Sequence, residues 1–340
     1  MNKFFKKLYI LILISAINLP AEENRYAASF LELGIGARAL GMGGAYSALS
    51  NDATGFYWNP GGLAFLPNFQ ASSMYADLFN SLQNQSFVNF AMPIFGGASV
   101  ALSWIRVSIE DIPRYEFDDD NGNITAWDRI SGGALPLTDP AAGYFGNYND
   151  AYIISFAKYV PWNMDLGWQY FELPVDLGFG LNLKMLRQAL DNKTGTGVGL
   201  DIGFISRIGL NELFSEPYYG VLSFGLNVQD AANTQITWDT DSKHKDRIAR
   251  NFKYGIAYVQ PLPFIDSKFT FLFDVNSRYS GTTHLGSELF IKSHFALRLG
   301  TNSGFFTAGA GLYLWKFQLD YAYQSHDLGN THRVSLLFGF

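Results

Sequence analysis

Cysteine is absent from this 340-residue chain, and charged residues make up only 16% of it. Without cysteine the chain can form neither a disulfide-stabilised secreted scaffold nor a thiolate metal site. Charged residues make up roughly 25% of an ordinary soluble domain, so this chain has an unusually small charged surface. The formal net charge of -6 argues against a nucleic-acid partner, which needs a basic face.

Long apolar runs and local catalytic motifs are also missing. No apolar stretch of 18 or more residues occurs, so the sequence predicts no membrane-spanning helix. The five histidines show no metal-ligand spacing, and no serine lies in a nucleophile elbow. We therefore predict a protein that is not an enzyme and that binds no metal or cofactor. A catalytic triad assembled from different strands would leave no local signature.

The first residues have the pattern of a secretory signal peptide. Three lysines within the first seven residues precede an apolar run from Leu8 to Leu19, and two glutamates follow Ala21. This order predicts export and cleavage after Ala21. The apolar run is too short to span a bilayer of about 30 Å, which disfavours a membrane anchor.

The most prominent feature that is present is a strict alternation of apolar and polar residues. From Asp176 to Met185 every odd position is large and apolar, while every even position is small or polar. Successive strand residues point to opposite faces, so such a segment has one apolar and one polar face. Soluble sandwiches and membrane barrels share this pattern. Together with the export signal and an aromatic content of 16%, it favours a transmembrane barrel, with lipid outside and a polar lumen.

Fourteen segments fit this pattern, an even number as bacterial single-chain barrels require. We therefore predict an all-β fold, an antiparallel transmembrane β-barrel of about 14 strands in the cell outer membrane, in contact with its lipid. Long polar connections at 108–150, 188–196 and 230–251 contrast with tight turns elsewhere. The predicted strands are 71–79, 86–94, 98–107, 151–160, 175–187, 197–208, 221–229, 252–261, 268–278, 285–292, 294–301, 305–314, 316–324 and 331–340.

The alternation also assigns side chains to the two faces of the barrel wall. The residues predicted to face lipid are Leu181, Leu183, Phe224, Leu297 and Leu319, and those predicted to face the lumen are Asn182, Lys184, Asp201, Arg298 and Asp320.

The segment before the first strand is too glycine-rich for a regular helix and too apolar for a disordered tail. Glycines let its backbone turn tightly and approach a wall closely. A fourteen-stranded barrel is too wide for its own side chains to fill. We therefore predict three parts: a signal peptide at 1–21, a lumenal plug at 22–67 and the barrel at 68–340.

Two ends of the mature chain carry a family resemblance. Residues 36–45, together with the motif Asn59-Pro60-Gly61, resemble the N-terminal signature of the PorV/PorQ family, which is related to FadL-type long-chain fatty-acid transporters. Residues 295–300, 319–323 and 327–335 resemble the same family. The FadL type implies a fourteen-stranded barrel with an N-terminal hatch and an Asn-Pro-Ala motif, in which Gly61 here replaces alanine. The PorV side implies a scaffold for proteins that leave through the type IX secretion system.

These features predict a passive transporter of hydrophobic small molecules such as long-chain fatty acids. The alternative is a structural or accessory barrel of type IX secretion that binds secreted protein cargo at its outer loops. We predict an outer capture surface in loop 108–150, where exposed aromatic residues mark a binding site. Its candidate aromatic residues are Trp127, Tyr144, Phe145 and Tyr148.

Candidate ligand-binding residues lie in the plug and on the polar faces of the strands. Phe56, Tyr57 and Trp58 are predicted to line a pocket beside the plug. A ligand carboxylate is predicted to meet a cation chosen from Arg38, Lys184 and Arg298. The structural alternatives are that Trp58 wedges the plug in place and that Arg38 pairs with a lumen carboxylate such as Asp176 or Asp320.

The last strand and one early turn carry two further predictions. Arg333, Phe338 and Phe340 resemble the signal that the outer-membrane barrel assembly machinery binds, although Ser335 stands where glycine is usual. Proline and paired glycines interrupt strand ladders, so the stretch 92–97 is either a lateral opening in the wall or an ordinary turn.

Overall fold

In the computed structural model, the described residues are 27–79, 81–114, 143–165, 167, 172–278 and 281–339. The predicted signal peptide, residues 22–26 of the predicted plug, Trp127 and Phe340 lie outside the described residues. Within the described ranges, no helix is long and apolar enough to cross a membrane.

Fourteen antiparallel strands close into a barrel, as the sequence predicts. Within the ring each strand pairs with the next along the chain, with β10 following β7, and β1 pairs with β16 to close it. Two short strands, β8 and β9, extend the sheet from β6 outside the ring. The strands are β1 Gln70–Leu78, β2 Gln83–Ile94, β3 Ala98–Arg114, β4 Gly143–Asp165, β5 Glu172–Leu190, β6 Lys193–Gly209, β7 Val221–Gln229, β8 Gln235–Trp238, β9 Lys245–Arg247, β10 Asn251–Leu262, β11 Ser267–Asn276, β12 Thr282–Ile291, β13 Phe295–Asn302, β14 Phe305–Leu314, β15 Phe317–Gln324 and β16 Thr331–Gly339.

The four strands β3 to β6 are longer than the alternation indicates, with 17, 23, 19 and 17 residues. Their extra residues pair with one another beyond the length of the neighbouring strands. Beyond the apolar belt both faces of a strand meet polar surroundings, so the alternation fades while the ladder of hydrogen bonds continues.

The two faces of the wall differ as predicted. Leu181 and Leu183 are 47% and 54% exposed, whereas Asn182 and Lys184 between and beside them are 1% and 4% exposed. An outer surface of exposed leucine and phenylalanine requires lipid around it, so the barrel spans a membrane. The other assigned residues follow the same division, with Phe224, Leu297 and Leu319 exposed outside and Asp201, Arg298 and Asp320 buried inside.

The two ends of the barrel differ in their connections. One end, which we call the inner end, holds the short turns after β2, β10, β12 and β14 and the end of β16. The opposite outer end holds the end of β3, the long connection 230–250 with β8 and β9, and the tight turns 191–192 and 303–304. Orientation with the long connections outside is usual for bacterial outer-membrane barrels.

The stretch 92–97 forms an ordinary turn at the inner end. Strand β2 stays paired with β3 through Met92 and Pro93 as far as Ile94. Gly96 and Gly97 then adopt φ values of 73° and 70°, which glycine reaches without steric strain, and the chain reverses. The wall is therefore continuous here, and the alternative of a lateral opening at this position is wrong.

The N-terminal segment, residues 27–67, has short helical turns and packs against the inward faces of the strands. Its helix α1 (Ala37–Gly41) contacts β13 to β16, and a 3-10 helix at Pro60–Phe65 contacts β3 to β6. Asn59 starts the 3-10 helix because its side chain accepts a hydrogen bond from the Gly61 amide. The remaining short helices are Ser29–Glu32, α2 (Gly55–Trp58), Phe95–Gly97, α3 (Leu210–Phe214) and Pro263–Ile265.

Candidate functional site: the lumen and its cavity

The inward faces of the strands form two unlike walls. The inward side chains of β1 to β4 include no charged residue over the ranges 70–78, 85–93, 99–107 and 149–159. We call this surface the charge-free wall. The inward faces of β5 to β16 form the charged wall. Its charged and titratable side chains include Lys184, Asp201, Arg207, Lys253, Asp274, His284, Glu288, Arg298, Asp320 and Arg333.

A chain of buried ions ties the N-terminal segment to the charged wall. Arg38 of α1 lies 3.1 Å from Asp52 and 3.0 Å from Glu288. Glu288 also accepts a 2.7 Å hydrogen bond from Arg298, whose other side reaches Asp320 at 2.7 Å. Burial opposes the charge of Arg38, but Glu288, Tyr46, Tyr313 and Asp52 together outweigh it and hold the pKa of Arg38 above its ordinary value. Arg38 thus pairs with a carboxylate of the barrel wall, as the structural alternative predicts, but the carboxylate is Glu288 and not Asp176 or Asp320.

The Asn-Pro-Gly motif rests directly on strand backbone. The Asn59 amide donates to the carbonyl oxygens of Ser47 and Phe204 at 2.8 and 3.0 Å. Below it, a Cβ atom at Gly180 would lie 2.1 Å from the Pro60 carbonyl carbon. Real Cβ atoms do not approach that closely, so only glycine allows this contact of backbone with backbone.

The same close packing recurs around the charged wall. A Cβ atom at Gly300 would lie 2.6 Å from the Gly43 nitrogen, so the segment also touches β13 through backbone atoms. Inward amides add directional contacts: Asn182 donates to the Phe56 carbonyl at 2.6 Å, and Asn227 donates to the Trp58 carbonyl at 2.8 Å. The segment and the charged wall therefore fit each other at defined positions.

Apolar packing dominates on the charge-free wall. Phe56 meets Phe87 edge-on, with ring centroids 6.5 Å apart. Two hydrogen bonds supplement this packing: the Ala53 amide donates to Gln70 at 2.7 Å, and Gln85 donates to a segment carbonyl at 2.8 Å. The buried apolar side chains of this wall that belong to the same cluster as the segment are Met74, Phe87, Ala91, Ala101, Ile105, Val107, Ala151, Ile153 and Ala157.

A cavity of about 190 Å³ lies between the segment and the wall near the outer end of the barrel. Phe56, Tyr57 and Trp58 line one side, and Ile153 of the charge-free wall joins them. Burial raises the pKa of Tyr57, so its hydroxyl stays protonated and donates to the Leu31 carbonyl. Acidic and basic side chains line the remaining side, so the cavity has an aromatic face and a charged face. The charged face consists of Glu32, Lys184, Asp201, Asp230, Lys253, Asp274 and Arg278.

Two of the cavity cations are held by carboxylates. Lys184 lies 2.7 Å from Asp201 and 2.9 Å from Asp230. Arg278 lies 2.7 Å from Glu32 of the segment. Within each pair the opposite charges neutralise each other, and the pairs position the strand ends around the mouth of the cavity.

Lys253 differs from Lys184 and Arg278 in the groups that surround its ammonium. Its ammonium lies 5.5 and 5.4 Å from the ring centroids of Tyr57 and Trp58, a cation–π arrangement. Within the described part of the chain, no carboxylate forms an ion pair with it. Lys253 is absent from the predicted site, although Phe252 and Tyr254 beside it mark it as an inward residue of an alternating strand.

The structure divides the predicted site residues between several places. Phe56, Tyr57, Trp58 and Lys184 come together at the cavity, while Arg38 and Arg298 meet at Glu288 away from it. Tyr144, Phe145 and Tyr148 of the predicted capture loop belong to β4. At the C-terminus, Arg333 is buried inside and donates to Gln324 at 3.0 Å, and Phe338 packs on Phe317 with centroids 4.7 Å apart.

The sequence matches no protein-family model and no curated protein. In structure the chain is similar to the toluene transporter TbuX of Ralstonia pickettii, with a TM-score of 0.45 and 10% identity over 90% of this chain and 98% of that one. A FadL homologue of Pseudomonas aeruginosa has a TM-score of 0.43 and 11% identity over 88% and 96%. Omp33 of Acinetobacter baumannii has a TM-score of 0.41 and 9% identity over 80% and 98%.

Proposed function

We propose that this protein is an outer-membrane transporter for small hydrophobic molecules and that residues 27–67 act as its plug. The observation that carries the proposal is the charge-free wall, which meets the cavity at Ile153 and faces the apolar side of the N-terminal segment. A lumen that served only water or ions would not need the apolar cluster that this wall shares with the segment. Such a wall gives a hydrophobic ligand a surface on which to leave water.

Binding begins in the cavity. The aromatic face made by Phe56, Tyr57 and Trp58 suits the apolar body of a ligand. Lys253 suits an acidic head group, because its ammonium already faces the cavity and forms no ion pair with a described residue. Lys184, in contrast, would have to leave two carboxylates first. We therefore assign the cation of the binding site to Lys253 rather than to Arg38, Lys184 or Arg298.

Passage then follows the charge-free wall. From the cavity toward the inner end, the wall continues from Ile153 to the small residues Ala101 and Ala157, on the two strands that the 3-10 helix Pro60–Phe65 contacts. Apolar contacts have no preferred direction, so a hydrophobic ligand can replace them with contacts of similar area. The ion chain and backbone contacts of the charged wall would hold the segment meanwhile.

A charge placed on the charge-free wall tests this function. Ile153→Asp puts a carboxylate beside Phe56, and we expect uptake of radiolabelled dodecanoate by cells that depend on this protein to fall at least tenfold. Ser223→Asp is the matched control, because Ser223 faces inward and is equally buried but belongs to the charged wall. Equal uptake by the two variants, with equal amounts of folded barrel, would contradict the proposed path.

The alternative, a barrel that assists protein secretion, is favoured by the folded rim at the outer end. Strands β8 and β9 extend the sheet beyond the ring, and Trp238 is anchored there by a 2.7 Å hydrogen bond to Asp246. Such a rim offers a shaped surface to a protein partner. Removal of residues 235–247 should abolish cargo export but leave dodecanoate uptake unchanged if the alternative is correct.

A further inference from the structure

A charged cluster lies on the outer surface of the barrel, beside a belt of exposed apolar and aromatic residues. Arg106 of β3, Asp150 of β4 and Arg187 of β5 are direct cross-strand neighbours in one row. Arg106 holds Asp150 through two hydrogen bonds of 2.7 and 3.0 Å, and the Trp104 indole donates a third of 3.0 Å. Asp150 is fully buried although it faces outward.

The row occupies a defined depth in the membrane. The next row toward the inner end joins Trp104, Tyr152 and Met185. The row after that joins Leu102, Ile154 and Leu183, all of them exposed. Aromatic residues flank the apolar belt of a membrane barrel at its two interfaces. The guanidinium groups of Arg106 and Arg187 therefore lie just outside the hydrocarbon, at the level of lipid head groups on the outer side.

One arginine is sufficient to neutralise Asp150, but the row has two. Arg106 makes the bidentate pair, and its guanidinium also lies 5.1 Å from the Trp104 ring centroid and 5.9 Å from that of Tyr148. The Arg187 side chain is exposed, and no described residue forms an ion pair or a side-chain hydrogen bond with it. Further along the strands, Arg114 and Asp191 pair with each other, and Glu110 lies beyond the row beside a break in the β3–β4 register.

We propose that this cluster binds a phosphate group on the head group of an outer-leaflet lipid. Neighbouring strands are about 4.8 Å apart, so the Cα atoms of Arg106 and Arg187 are separated by roughly 10 Å, and their long side chains can converge on one phosphate. Guanidinium groups match phosphate oxygens with paired hydrogen bonds. Asp150 does not contact the lipid; it positions Arg106 and leaves Arg187 as the primary donor.

The surroundings favour a lipid over a soluble anion. Trp104 and Tyr152 flank the cluster on the membrane side, where the glycerol or sugar part of a lipid would contact their rings. The exposed leucines beyond them would contact its acyl chains. A soluble phosphate would contact only the two guanidinium groups, and water would compete for those contacts.

Native mass spectrometry of the full barrel in detergent tests the proposal with lipid A, which carries two phosphates, and with phosphatidylcholine. We expect wild-type protein to retain lipid A, and Arg187→Gln to weaken that binding about tenfold, the usual effect of losing one hydrogen bond to a charged group. Arg187→Lys, which keeps the charge, should recover most of the affinity. Arg114→Gln is the matched control on the same rim and should change binding less than twofold.

Three results would overturn the proposal. The first is equal binding of lipid A to wild type and Arg187→Gln, with Arg114→Gln as the reference. The second is binding of phosphatidylcholine as tight as that of lipid A, because the choline group cancels the charge of its phosphate. The third is complete displacement of lipid A by millimolar inorganic phosphate, which would show a site for the free ion.

Discussion

The two walls of the lumen hold the same N-terminal segment by different physical means. On the charged wall, contacts are ion pairs, amide hydrogen bonds and backbone atoms that touch glycines, and each requires a defined position. On the charge-free wall, most of the contact is apolar packing such as that between Phe56 and Phe87. Directional contacts fail when they shift by an ångström, whereas apolar contacts can be exchanged for others. Under the proposed function, the charged wall is the side that holds the segment and the charge-free wall is the side expected to open.

The largest expected effect comes from the ion chain. Glu288→Ala leaves Arg38 and Arg298 buried without their shared carboxylate, and loss of one partner from a buried pair costs about 3–5 kcal/mol. We expect the free energy of unfolding in phospholipid vesicles to fall by this amount in urea titrations. Asn89→Ala is the control on the charge-free wall, where a 2.7 Å hydrogen bond to Ser103 and a long 3.5 Å one from Ser72 are lost and about 1–2 kcal/mol is expected. Equal losses would remove the distinction between the walls.

A smaller effect is expected where backbone touches backbone. Gly203→Ala places a Cβ atom 2.3 Å from the Asn59 side-chain oxygen, and overpacking of this kind costs about 1–3 kcal/mol. The segment should also shift, which single-channel recording would detect as a higher ion conductance. Gly143→Ala is the control, since no atom of the described residues lies within 4 Å of the added carbon. Unchanged conductance of Gly203→Ala would mean that the contact does not hold the segment.

On the charge-free wall, a change of shape should alter transport more than stability. Phe87→Leu keeps an apolar side chain but loosens the contact with Phe56, so we expect a stability loss below about 1.5 kcal/mol. Dodecanoate uptake should rise several-fold in the same cells. If Phe87→Leu loses more stability than Gly203→Ala and shows no gain in uptake, the idea that this side opens is contradicted.

The smallest effect concerns the cavity cation. Lys253→Gln should weaken dodecanoate binding about fivefold, or roughly 1 kcal/mol, because one charged partner of the carboxylate is lost. Binding of naphthalene, which has no charge, should be unchanged in the same fluorescence-quenching titration. An equal loss for both ligands would indicate that Lys253 only supports the aromatic face.

The barrel could be predicted from the sequence because alternation is a local property. Leu181, Asn182 and Leu183 reveal their faces without any knowledge of the neighbouring strand. The predicted strands are shorter than the observed ones at the rims. The polar residues beyond Ile109 or Leu186 no longer alternate with apolar ones, so the sequence does not reveal that the strands continue.

The site was harder to predict because its partners meet across the lumen. Arg38 and Glu288 are 250 positions apart, and no local pattern tells which of several inward carboxylates an N-terminal arginine meets. Lys253 shows the opposite case, since its inward direction is evident from Phe252 and Tyr254, but whether a described carboxylate reaches it depends on the strands around it. Sequence therefore indicates which side chains face the lumen, and the three-dimensional arrangement decides which of them remain available.

The most direct test of the account is to fix the segment to one wall at a time. The chain has no cysteine, so paired cysteines can be introduced without interference. Ala37→Cys with Ser335→Cys joins α1 to the charged wall, where the Ala37 amide lies 3.1 Å from the serine hydroxyl. Phe56→Cys with Phe87→Cys joins the segment to the charge-free wall.

Dodecanoate uptake is measured before and after a short, reducible thiol crosslinker is added to each double variant. The account predicts that crosslinking to the charge-free wall stops uptake and that reduction restores it, while crosslinking to the charged wall leaves uptake unchanged. Loss of uptake on crosslinking to the charged wall, with transport intact when the charge-free wall is crosslinked, would contradict it.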